Sequence, residues 1–565
     1  MASRCARQSR LRHSDAESAR LTSRAACDRL SFNVNTRQSF ELARQHHRAG
    51  RLAEAEAICG EILAVEPRHA DVLHMRGVIA GQTGRKEEAV HWLRQSVAAR
   101  PDHAEAQKNL GVALRDAGLI EEAIAAYRQA IALKPDYAEA HKNLGNALFQ
   151  SGRLDDAVAA YRQAVVLRPD HAETHSNLGA ALKDKGQIDE AIAACRQAIA
   201  LKPGYPEAQN NLGNALHAAG HFDQAVAAYR EALRLRPGFA AACGNLGVAL
   251  RAQGRHGEAI EAFREAIRTR PDYADAHNHL GSVLQDEGRL DEAIAAHRTA
   301  IELRPGYVDA HGNLGHALKN LGRTAEAVAA YRTAVRLKPD SADLQHVLAA
   351  LTGDHSSTTT PASYVRSLFD PYAAQFDEHL LGQLAYRVPQ HLFETVVAVA
   401  RGRKFDILDL GCGTGLCGVL FRPLAGKMTG VDLSPAMIAK AEARGIYERL
   451  ITGDLVAAMR DCGESFDLIL AGDTFVYVGD LGAVFAGAAE ALRPGGLFVF
   501  SLELHEGEGF VLHSKVRFAH SLAYIRGLSR VHCLAEIQVR EITLRKSGPD
   551  DVAGWVVALQ KPAAP

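Results

Sequence analysis

A glycine-rich heptapeptide at residues 409–415, Asp-Leu-Gly-Cys-Gly-Thr-Gly, is the segment of this sequence with the clearest chemical potential. It follows an apolar run, 405–408, that predicts a short buried strand. Glycines permit a tight turn and let a ligand approach the backbone closely. The helix predicted to follow directs unpaired backbone N–H groups toward the same place. The segment therefore predicts a strand, turn and helix that bind a nucleotide-like cofactor.

Three acidic residues at the ends of predicted strands bear on the choice of cofactor. Residues 413–418 read Gly-x-Gly-x-x-Gly, which also fits the dinucleotide fingerprint and makes NAD a candidate. Asp409 can meet the ammonium of a methionine moiety, and Asp454 can accept from an adenine amino group. Asp432 can accept both hydroxyls of a ribose, which suits either cofactor. Asp409 and Asp454 therefore favour S-adenosylmethionine (SAM).

A last motif, Leu-Arg-Pro-Gly-Gly at 492–496, precedes another apolar strand. In order and spacing the whole series resembles the motifs of class I SAM-dependent methyltransferases. Every expected cofactor position is filled, which favours an active enzyme over a catalytically silent scaffold. The resemblance implies that SAM is the cofactor and that its binding residues are Tyr372, Asp409, Gly411, Cys412, Gly413, Gly415, Asp432, Leu433, Asp454, Leu455 and Ala471.

The length of 565 residues predicts at least two domains. The net charge of −1 gives no global field that would recruit nucleic acid or an anionic membrane. No apolar stretch approaches the 18 residues of a membrane span. Nine cysteines without a Cys-x-x-Cys pair favour free thiols in a reducing compartment, so we expect a cytoplasmic protein. Residues 1–35 are rich in arginine and predict a disordered leader.

Prolines recur at an interval of 34 residues, together with glycine, alanine and aromatic positions. Each unit predicts two amphipathic helices, with small residues for close approach, an aromatic in the cleft, and proline after the second helix. This pattern resembles the tetratricopeptide (TPR) repeat. We predict an all-α solenoid over 36–352, with nine repeats and a capping helix at 342–352. The prolines are Pro67, Pro101, Pro135, Pro169, Pro203, Pro237, Pro271, Pro305 and Pro339.

Asparagine recurs in the first helix of the repeats although it is a poor helix former. One interpretation is that each amide holds the backbone of an extended partner peptide, because an amide both donates and accepts. The run Asn-Leu-Gly-Asn-Ala-Leu resembles the TPR lumen of O-linked N-acetylglucosamine transferases, which hold substrate polypeptide this way. The alternative is that the side chains bridge neighbouring helices. The positions are Asn109, Asn143, Asn177, Asn211, Asn245 and Asn313, with His279 as the exception.

Histidines also recur at the repeat period, one in each of several units. Sites one repeat apart cannot share a metal ion, whose ligand bonds are about 2 Å long. We therefore interpret these histidines as packing residues and predict no metal site. They are His141, His175, His277 and His311.

Residues 353–362 predict a polar linker, and 363–565 predict a second domain. A helical pattern runs from 364 to about 401. Five apolar runs then alternate with helical segments, which predicts a parallel, doubly wound, Rossmann-like α/β sheet. Two later runs resemble the antiparallel pair that closes this fold in methyltransferases. The predicted strands are 405–410, 428–432, 449–453, 466–471, 496–501, 536–544 and 553–560.

The segment 368–377 resembles the lid of small-molecule and protein methyltransferases. The resemblance implies that Tyr372 covers the cofactor. The alternative is that Tyr372 and Phe376 form one buried helix face, four residues apart.

The acceptor is the least defined part of the sequence. After the fourth strand comes Ala-Gly-Asp-Thr-Phe at 471–475, not the Asn/Asp-Pro-Pro-aromatic motif of amide and adenine methyltransferases, and no Pro-Cys nucleophile occurs. Nucleic-acid acceptors are therefore disfavoured. Histidine is the natural base near neutral pH, so His520 is the candidate base, with Tyr524 and Asp473 as further candidates. The alternative is that His520 stabilises a helix predicted around it.

Taken whole, the chain after residue 36 resembles bacterial predicted methyltransferases that carry N-terminal TPR repeats, a family that defines no acceptor. A long repeat array suits an extended or helical polypeptide better than a metabolite. We therefore expect a protein acceptor or an acceptor presented by a carrier protein. The alternative is a free small molecule, with the array as a separate protein-interaction scaffold.

Overall fold

A computed structural model describes residues 36–354, 357–384, 386–400, 402–463, 465–547 and 550–563. The predicted leader, 1–35, lies outside these ranges. The chain divides into two compact units, Met1–His279 and Leu280–Pro565. The second unit thus contains the last repeats as well as the predicted catalytic domain. The boundary predicted at 353–362 stays a prediction.

The first unit consists of paired helices, which confirms the predicted repeat fold. Each first helix is followed by a tight turn and a second helix, and proline follows soon after, as Pro135 does after the helix that ends at Leu133. The helices are α1 (36–48), α2 (Leu52–Val65), α3 (Ala70–Gln82), α4 (Lys86–Ala99), α5 (Ala104–Asp116), α6 (Ile120–Leu133), α7 (Ala138–Gln150), α8 (Leu154–Leu167), α9 (Ala172–Asp184), α10 (Ile188–Leu201), α11 (Pro206–Ala218), α12 (Phe222–Leu235), α13 (Ala240–Ala252) and α14 (His256–Thr269), and α15 (Ala274–Asp286) follows.

The recurring glycine of each repeat faces the recurring aromatic ring. A Cβ added to Gly111 would lie 2.6 Å from Tyr127, and one added to Gly145 would lie 2.6 Å from Tyr161. Both rings are buried, so they fill the space that a side chain at the glycine would need. The close approach of paired helices therefore depends on this glycine, as the sequence pattern predicts.

The second unit begins with the last repeats and continues into shorter helices. The repeat helices here are α16 (Leu290–Leu303), α17 (Val308–Asn320), α18 (Thr324–Leu337) and α19 (Ala342–Thr352). The remaining helices are α20 (Ala362–Phe369), α21 (Phe376–Glu378), a π-helical turn (His379–Gln383), α22 (Val388–Ala400), α23 (Leu416–Phe421), a 3₁₀ turn (Arg422–Leu424), α24 (Pro435–Ala443), α25 (Leu455–Asp461), a 3₁₀ turn (Phe475–Tyr477), α26 (Gly482–Ala491) and α27 (Leu522–Val531).

Within the described residues, seven strands form one sheet in the order β3-β2-β1-β4-β5-β9-β8. The first five strands are parallel, and β9 runs antiparallel between β5 and β8. This order confirms the predicted α/β fold and its antiparallel closing pair. The strands are β1 (Phe405–Leu410), β2 (Ala425–Asp432), β3 (Arg449–Thr452), β4 (Phe466–Ala471), β5 (Leu492–Glu503), β8 (Ala535–Ser547) and β9 (Asp550–Gln560).

Apolar side chains alternate between the two faces of this sheet because successive residues of a strand point to opposite sides. Phe498 and Phe500 of β5 belong to one buried cluster, and Val499 between them belongs to another. The two clusters cover both faces, which leaves the carboxyl ends of the parallel strands as the open edge. In folds of this kind, ligands bind at that edge.

The insertion between β5 and β8 differs from the prediction. We expected a helix around His520, but the chain forms a hairpin of β6 (Phe510–His513) and β7 (Arg517–His520). The helix α27 begins only after it, because the Ser521 side chain accepts a hydrogen bond from the Tyr524 N–H at 3.2 Å and caps the helix start. His520 is therefore the last residue of a strand.

Candidate active site

A cavity of about 680 Å³ opens at the carboxyl ends of β1, β2 and β4. One side is formed by the glycine turn after β1 and by the residues after β2 and β3. The helices and turns of 359–386 cover it. Residues after β4 and single arginines from β7 and β8 also line the cavity. The position matches the edge at which α/β sheets bind ligands.

The glycine turn lines the cavity through Gly411 and Gly413. Both have positive φ angles, 68° and 54°, which favour glycine. A Cβ on Gly411 would lie 2.4 Å from the Thr474 hydroxyl, so packing alone excludes a side chain there. A Cβ on Gly413 would have its nearest neighbour, Phe376, at 3.9 Å. Because Phe376 also lines the cavity, a side chain at 413 would enter the space available to a ligand.

Asp432 lies at the end of β2, on the cavity wall beside Leu433. One carboxylate oxygen accepts a hydrogen bond from the Gly413 N–H at 2.9 Å, and the other accepts from the Ser434 N–H at 2.8 Å. Burial raises the pKa of Asp432, and these two backbone bonds act against the rise. The carboxylate is thus fixed in orientation and keeps acceptor capacity for a diol.

Asp454 follows β3 and lines the cavity together with Leu455. Its Oδ1 accepts from the backbone N–H groups of Val456 and Ala457, both at 2.9 Å, and so caps α25. Both bonds end on the same oxygen. The helix start therefore fixes the carboxyl group at the cavity edge.

The predicted lid covers the cavity with aromatic side chains. The rings of Tyr372 and Phe376 lie edge to face with centroids 5.4 Å apart, and Phe369 lies 5.5 Å from Tyr477. All four side chains line the cavity. The Tyr372 hydroxyl contacts Nδ1 of His379, which also lines the cavity. Tyr372 thus lies where the lid interpretation requires it.

Two aspartates fasten the lid to the cofactor side of the cavity. Asp370 accepts a hydrogen bond from the Ser434 hydroxyl at 2.5 Å. Asp377 accepts one from the Thr414 hydroxyl at 2.5 Å and forms an ion pair with Arg444. The lid is therefore connected to the glycine turn and to the turn that follows Asp432.

Four of the predicted cofactor residues do not line the cavity. Asp409 is 1% exposed and accepts a hydrogen bond from the Tyr447 hydroxyl at 2.7 Å. Burial raises its pKa to about 6. Cys412 and Ala471 are buried, and Gly472 lines the cavity in place of Ala471.

Gly415 is the fourth of these residues. It has a φ angle of 92° at the start of α23, and a Cβ on it would lie 3.2 Å from Tyr447. Its place in the motif therefore reflects helix packing as well as the turn.

The candidate base His520 is fully buried and is not among the residues that line the cavity. Its Nε2 lies 2.9 Å from the carbonyl oxygens of both Val478 and Gly479, to which it donates. Burial lowers its pKa to about 4, against the effect of these two carbonyls. The Tyr524 hydroxyl donates to Asp480 at 2.9 Å and also lies outside the cavity lining. The structure thus gives both side chains structural contacts instead of a place beside an acceptor.

A cluster of charges lines the cavity at the residues that follow β4. Asp473 has a φ angle of 57° and lines the cavity. Arg545 donates to both of its carboxylate oxygens, at 2.6 and 2.7 Å, and also contacts Glu503. Arg517 lies 3.6 Å from Glu503. Sequence reasoning missed the roles of Arg545 and His379. The strand β8 carries five charged residues, so its sequence does not single out Arg545.

The asparagines of the first unit contact the preceding repeat. Asn177 donates to Asn146 at 3.1 Å, Asn211 to the Ser176 hydroxyl at 3.0 Å, and Asn245 to Asn210 at 2.9 Å. Asn109 lies 2.7 Å from Nε2 of His74. Asn143 is 6% exposed. In the second unit Asn313 lies 3.5 Å from the Ser282 hydroxyl. The contacts of Asn109, Asn177, Asn211, Asn245 and Asn313 fit the bridging alternative for one N–H of each of these amides.

The recurrent histidines contact the backbone at the end of the preceding repeat. In each case Nε2 lies within hydrogen-bond distance of the carbonyl oxygen of the preceding repeat-end proline. This arrangement supports the interpretation as packing residues. The pairs are His141 with Pro135, His175 with Pro169, His277 with Pro271, and His311 with Pro305, at 3.0, 2.9, 3.0 and 3.0 Å.

The described residues contain neither a candidate metal centre nor a candidate membrane span. No group of three or more histidine, cysteine, aspartate or glutamate side chains there could hold a metal ion. No helix in the described part of the chain is long and apolar enough to cross a membrane.

Comparisons with protein families agree with the fold. A model described as a methyltransferase domain matches residues 407–496. Models of the TPR repeat match 113–152, 145–186 and 181–220, and further tetratricopeptide models match 40–104, 210–274 and 284–351. The sheet order and the glycine-turn cavity agree with this methyltransferase-domain model. The chain thus contains TPR repeats and a segment that matches a methyltransferase domain, and enzymes with such a domain in general use SAM.

Several bacterial O-methyltransferases are similar to the catalytic part. A ubiquinone biosynthesis O-methyltransferase of Rhodopseudomonas palustris (strain BisA53) is 28% identical over 177 residues, which are 28% of this chain and 68% of that protein. One of Methylobacterium nodulans is 33% identical over 96 residues, 16% of this chain and 39% of that protein. A malonyl-[acyl-carrier protein] O-methyltransferase of Xylella fastidiosa (strain M23) is 31% identical over 144 residues, 25% of this chain and 48% of that protein. The similarity thus spans only part of these relatives.

Solved structures are similar to the repeats. The hetero-tetramer Cut9–Hcn1 is 22% identical, with a TM-score of 0.39 and coverage of 47% of this chain and 52% of that chain. The structure of MamA is 30% identical, with a TM-score of 0.27 and coverage of 29% and 96%.

Proposed function

We propose that this protein transfers a methyl group from SAM to an acceptor on a polypeptide or a carrier protein, which the TPR array recruits. The observation that carries the proposal lies in the second unit: the last repeat helix, α19, packs on the hairpin that supplies Arg517 to the cavity. Val347 and Ala350 of α19 belong to one buried cluster with Leu512 and Phe518 of the hairpin. The last repeat helix and the hairpin that supplies Arg517 to the cavity thus share one hydrophobic core.

The segment between α19 and α20 adds to this connection. The Gly479 N–H donates to the Thr358 carbonyl at 3.0 Å, and the Thr360 N–H donates to the Tyr477 carbonyl at 3.0 Å. Thr359 and Thr360 also line the cavity. The segment predicted as a linker therefore forms part of the cavity wall, which a separate scaffold would not require.

The residues present fit SAM as the cofactor. We infer that the backbone at Gly411 and Gly413 accommodates the cofactor, that Asp432 accepts its ribose hydroxyls, and that Asp454 meets its adenine. When bound, SAM supplies an electrophilic methyl group. The chain's part is then to orient both reactants and exclude water, which the aromatic lid is placed to do. With Asp409 turned toward Tyr447, the acid nearest to a methionine moiety has to be sought elsewhere.

Calorimetric titration with SAM and with NADH tests the cofactor. We expect SAM to bind and Asp432→Ala to weaken binding by about 1–3 kcal/mol, because the ribose hydroxyls would lose a buried acceptor. Asp461→Asn, an exposed acid at the end of α25, is the matched control and should bind SAM normally. Tight binding of NADH with none of SAM would overturn the assignment.

The asparagine positions of the first unit remain our proposed contacts for a partner polypeptide: Asn109, Asn143, Asn177, Asn211 and Asn245, with Asn313 in the second unit. Bridging to the preceding repeat uses one N–H, whereas an amide carries a second N–H and a carbonyl oxygen. The bridging hydrogen bond already holds the side chain in place. Less conformational entropy would therefore be lost when the second N–H and the carbonyl oxygen bind a peptide. The two interpretations from the sequence are therefore compatible.

A triple substitution of Asn177, Asn211 and Asn245 by alanine tests recruitment. We expect methyl transfer to the acceptor in extracts of the source cell to fall while SAM binding is kept. The matched control replaces three exposed amides at the same period in the second helices, Gln129, Gln163 and Gln197. Equal transfer by both triple variants would contradict recruitment by the asparagines.

Free small acceptors form the second candidate, because several relatives are named for ubiquinone biosynthesis. The name of another relative, malonyl-[acyl-carrier protein] O-methyltransferase, favours the carrier-bound alternative. Fractionating the methylated product by size separates the two candidates. A label that passes a small-pore filter without prior cleavage would favour the free small molecule. We further propose a cytoplasmic location, consistent with the free cysteines of the described residues.

A further inference from the structure

Two arginines line the cavity beside the residues that follow β4, Arg517 from β7 and Arg545 from β8. Arg545 is already paired with two acidic side chains. Its side chain is 8% exposed, one terminal nitrogen donates to both oxygens of Asp473, and the other contacts Glu503. Neither Arg545 nor Asp473 is therefore available to an acceptor without breaking a buried ion pair.

Arg517 is in a different state. Its side chain keeps 30% exposure, and among the described residues its one carboxylate neighbour within 4 Å is Glu503, at 3.6 Å. That distance is too long for a hydrogen bond. Glu503 is closer to Arg545, which it contacts directly. A guanidinium has five N–H donors in a planar fork, so Arg517 presents donors to the cavity that its protein neighbours do not use.

We propose that Arg517 binds a carboxylate of the acceptor and that the reaction forms a methyl ester. This inference rests on the proposed methyltransferase function and deepens it by naming the acceptor group. The fork of a guanidinium matches the two oxygens of a carboxylate, and such charge-assisted pairs are among the strongest hydrogen bonds in proteins.

Arg517 is the less tightly paired cation of a cluster that is neutral as a whole. Arg545 takes both oxygens of Asp473 and contacts Glu503, whereas Arg517 lies 3.6 Å from Glu503. A sulfonium cofactor would add one positive charge to the cavity. A carboxylate acceptor would neutralise that charge, whereas a protonated amine would add a second positive charge.

The chemistry agrees with the side chains that are present. A carboxylate is already ionised at neutral pH, so it needs no base. Its oxygen donates an electron pair to the methyl carbon as the pair of the carbon–sulfur bond returns to sulfur, and no proton moves. A phenol or an ammonium would first have to lose a proton. His520 is buried away from the cavity, and Asp473 is held by Arg545.

His379 is the imidazole on the cavity wall, and its Nδ1 contacts the Tyr372 hydroxyl. It lies in the π-helical turn that follows the lid and not among the charges of Arg517, Arg545, Asp473 and Glu503. If it acted as a base, the acceptor would be a phenol or an alcohol and the product an ether. Ethers and methyl esters differ in stability toward alkali, which provides the test.

The full-length protein is incubated with methyl-tritiated SAM and a heat-inactivated extract of the source cell, and the products are treated with alkali. Methyl esters release volatile methanol, whereas ethers, methylamines and thioethers keep the label. We expect most of the enzyme-dependent label to become volatile. Label that stays bound after alkali would overturn the proposal while leaving the methyltransferase function intact. No enzyme-dependent label at all would overturn the proposed function itself.

Arg517 variants provide the second measurement. We expect Arg517→Gln to lower alkali-labile transfer by at least about thirtyfold, the effect of losing about 2 kcal/mol from a charge-paired contact. Arg517→Lys keeps the charge but not the fork, so its rate of transfer should fall between those of the wild type and Arg517→Gln. Arg526→Gln removes an arginine that pairs with Glu536 at the surface and serves as the matched control.

SAM binding, measured by calorimetry, should be the same in all three variants because neither arginine takes part in the described contacts of Asp432 or of the glycine turn. Undiminished transfer by Arg517→Gln with normal SAM binding would show that Arg517 does not bind the acceptor.

Discussion

The imidazole of His346 in α19 lies 6.0 Å from the phenyl ring of Phe518 in β7, centroid to centroid. Phe518 is fully buried, and its chain neighbour Arg517 faces the cavity. The Ser363 hydroxyl of α20 also donates to Asp343 of α19, at 2.6 Å. A movement of the last repeat helix would therefore be transmitted to the hairpin that positions Arg517.

Replacing Phe518 by alanine should loosen both elements together. The loss of a fully buried ring costs about 3–5 kcal/mol, and the ring links α19 to the hairpin. We expect faster amide hydrogen exchange in 342–352 as well as in 510–520. Phe421→Ala removes an equally buried ring from the cluster on a face of the central sheet and is the control. Faster exchange in the hairpin alone would show that α19 is not coupled to it.

Gly413→Ala should weaken SAM binding more than it weakens folding. The Cβ would project into the cavity toward Phe376, and overpacking of this kind costs about 1–3 kcal/mol, or roughly tenfold to a hundredfold in affinity. Gly445→Ala is a matched control, since its φ of 63° imposes a similar backbone strain but no atom lies within 4 Å of its Cβ. Calorimetry and thermal unfolding of both variants separate the two effects. Equal SAM affinities would place the ligand away from Gly413.

Asp409 should make the catalytic unit less stable as the pH rises. Its folded pKa, raised by burial to about 6 from 3.8, means that the folded state holds a proton that the unfolded state has lost between these values. Ionisation therefore costs stability as the pH rises from about 4 to 6, up to about 3 kcal/mol, and the loss stays constant above pH 6.

Asp409→Asn keeps an acceptor for the Tyr447 hydroxyl and removes the ionisation. We expect the variant to be more stable than the wild type toward urea at pH 7.5, with the difference shrinking toward pH 4. A constant difference across this range would show that Asp409 does not titrate with a raised pKa.

His520→Gln should retain methyl transfer to within a few-fold. The glutamine amide can donate to the carbonyls of Val478 and Gly479, which is the contact that the imidazole makes. With its pKa lowered to about 4, the imidazole is neutral at pH 7, and it is buried away from the cavity lining. We also expect an unchanged pH–rate profile. A loss of a hundredfold or more in a folded variant would restore His520 as the base predicted from the sequence.

The sequence by itself determined the repeat helices, the strands of the sheet, and the glycine turn. These features depend on local spacing: a period of 34 residues for the repeats, alternation for the strands, and glycine where the backbone turns tightly. The places of Gly413, Asp432 and Asp454 at strand ends also follow locally, because parallel strands end at one edge of the sheet.

Only the tertiary structure decided which charged side chains meet in the wall of the cavity. Arg517, Arg545 and Asp473 come from a hairpin, a closing strand and a loop, and their encounter depends on strand register and on the packing of distant elements. The same reason explains why two predicted site residues have other contacts. Asp409 has the spacing of a cofactor ligand, but Tyr447, 38 residues later, donates to its carboxylate. His520 has the chemistry of a base, but the fold places its Nε2 against two backbone carbonyls.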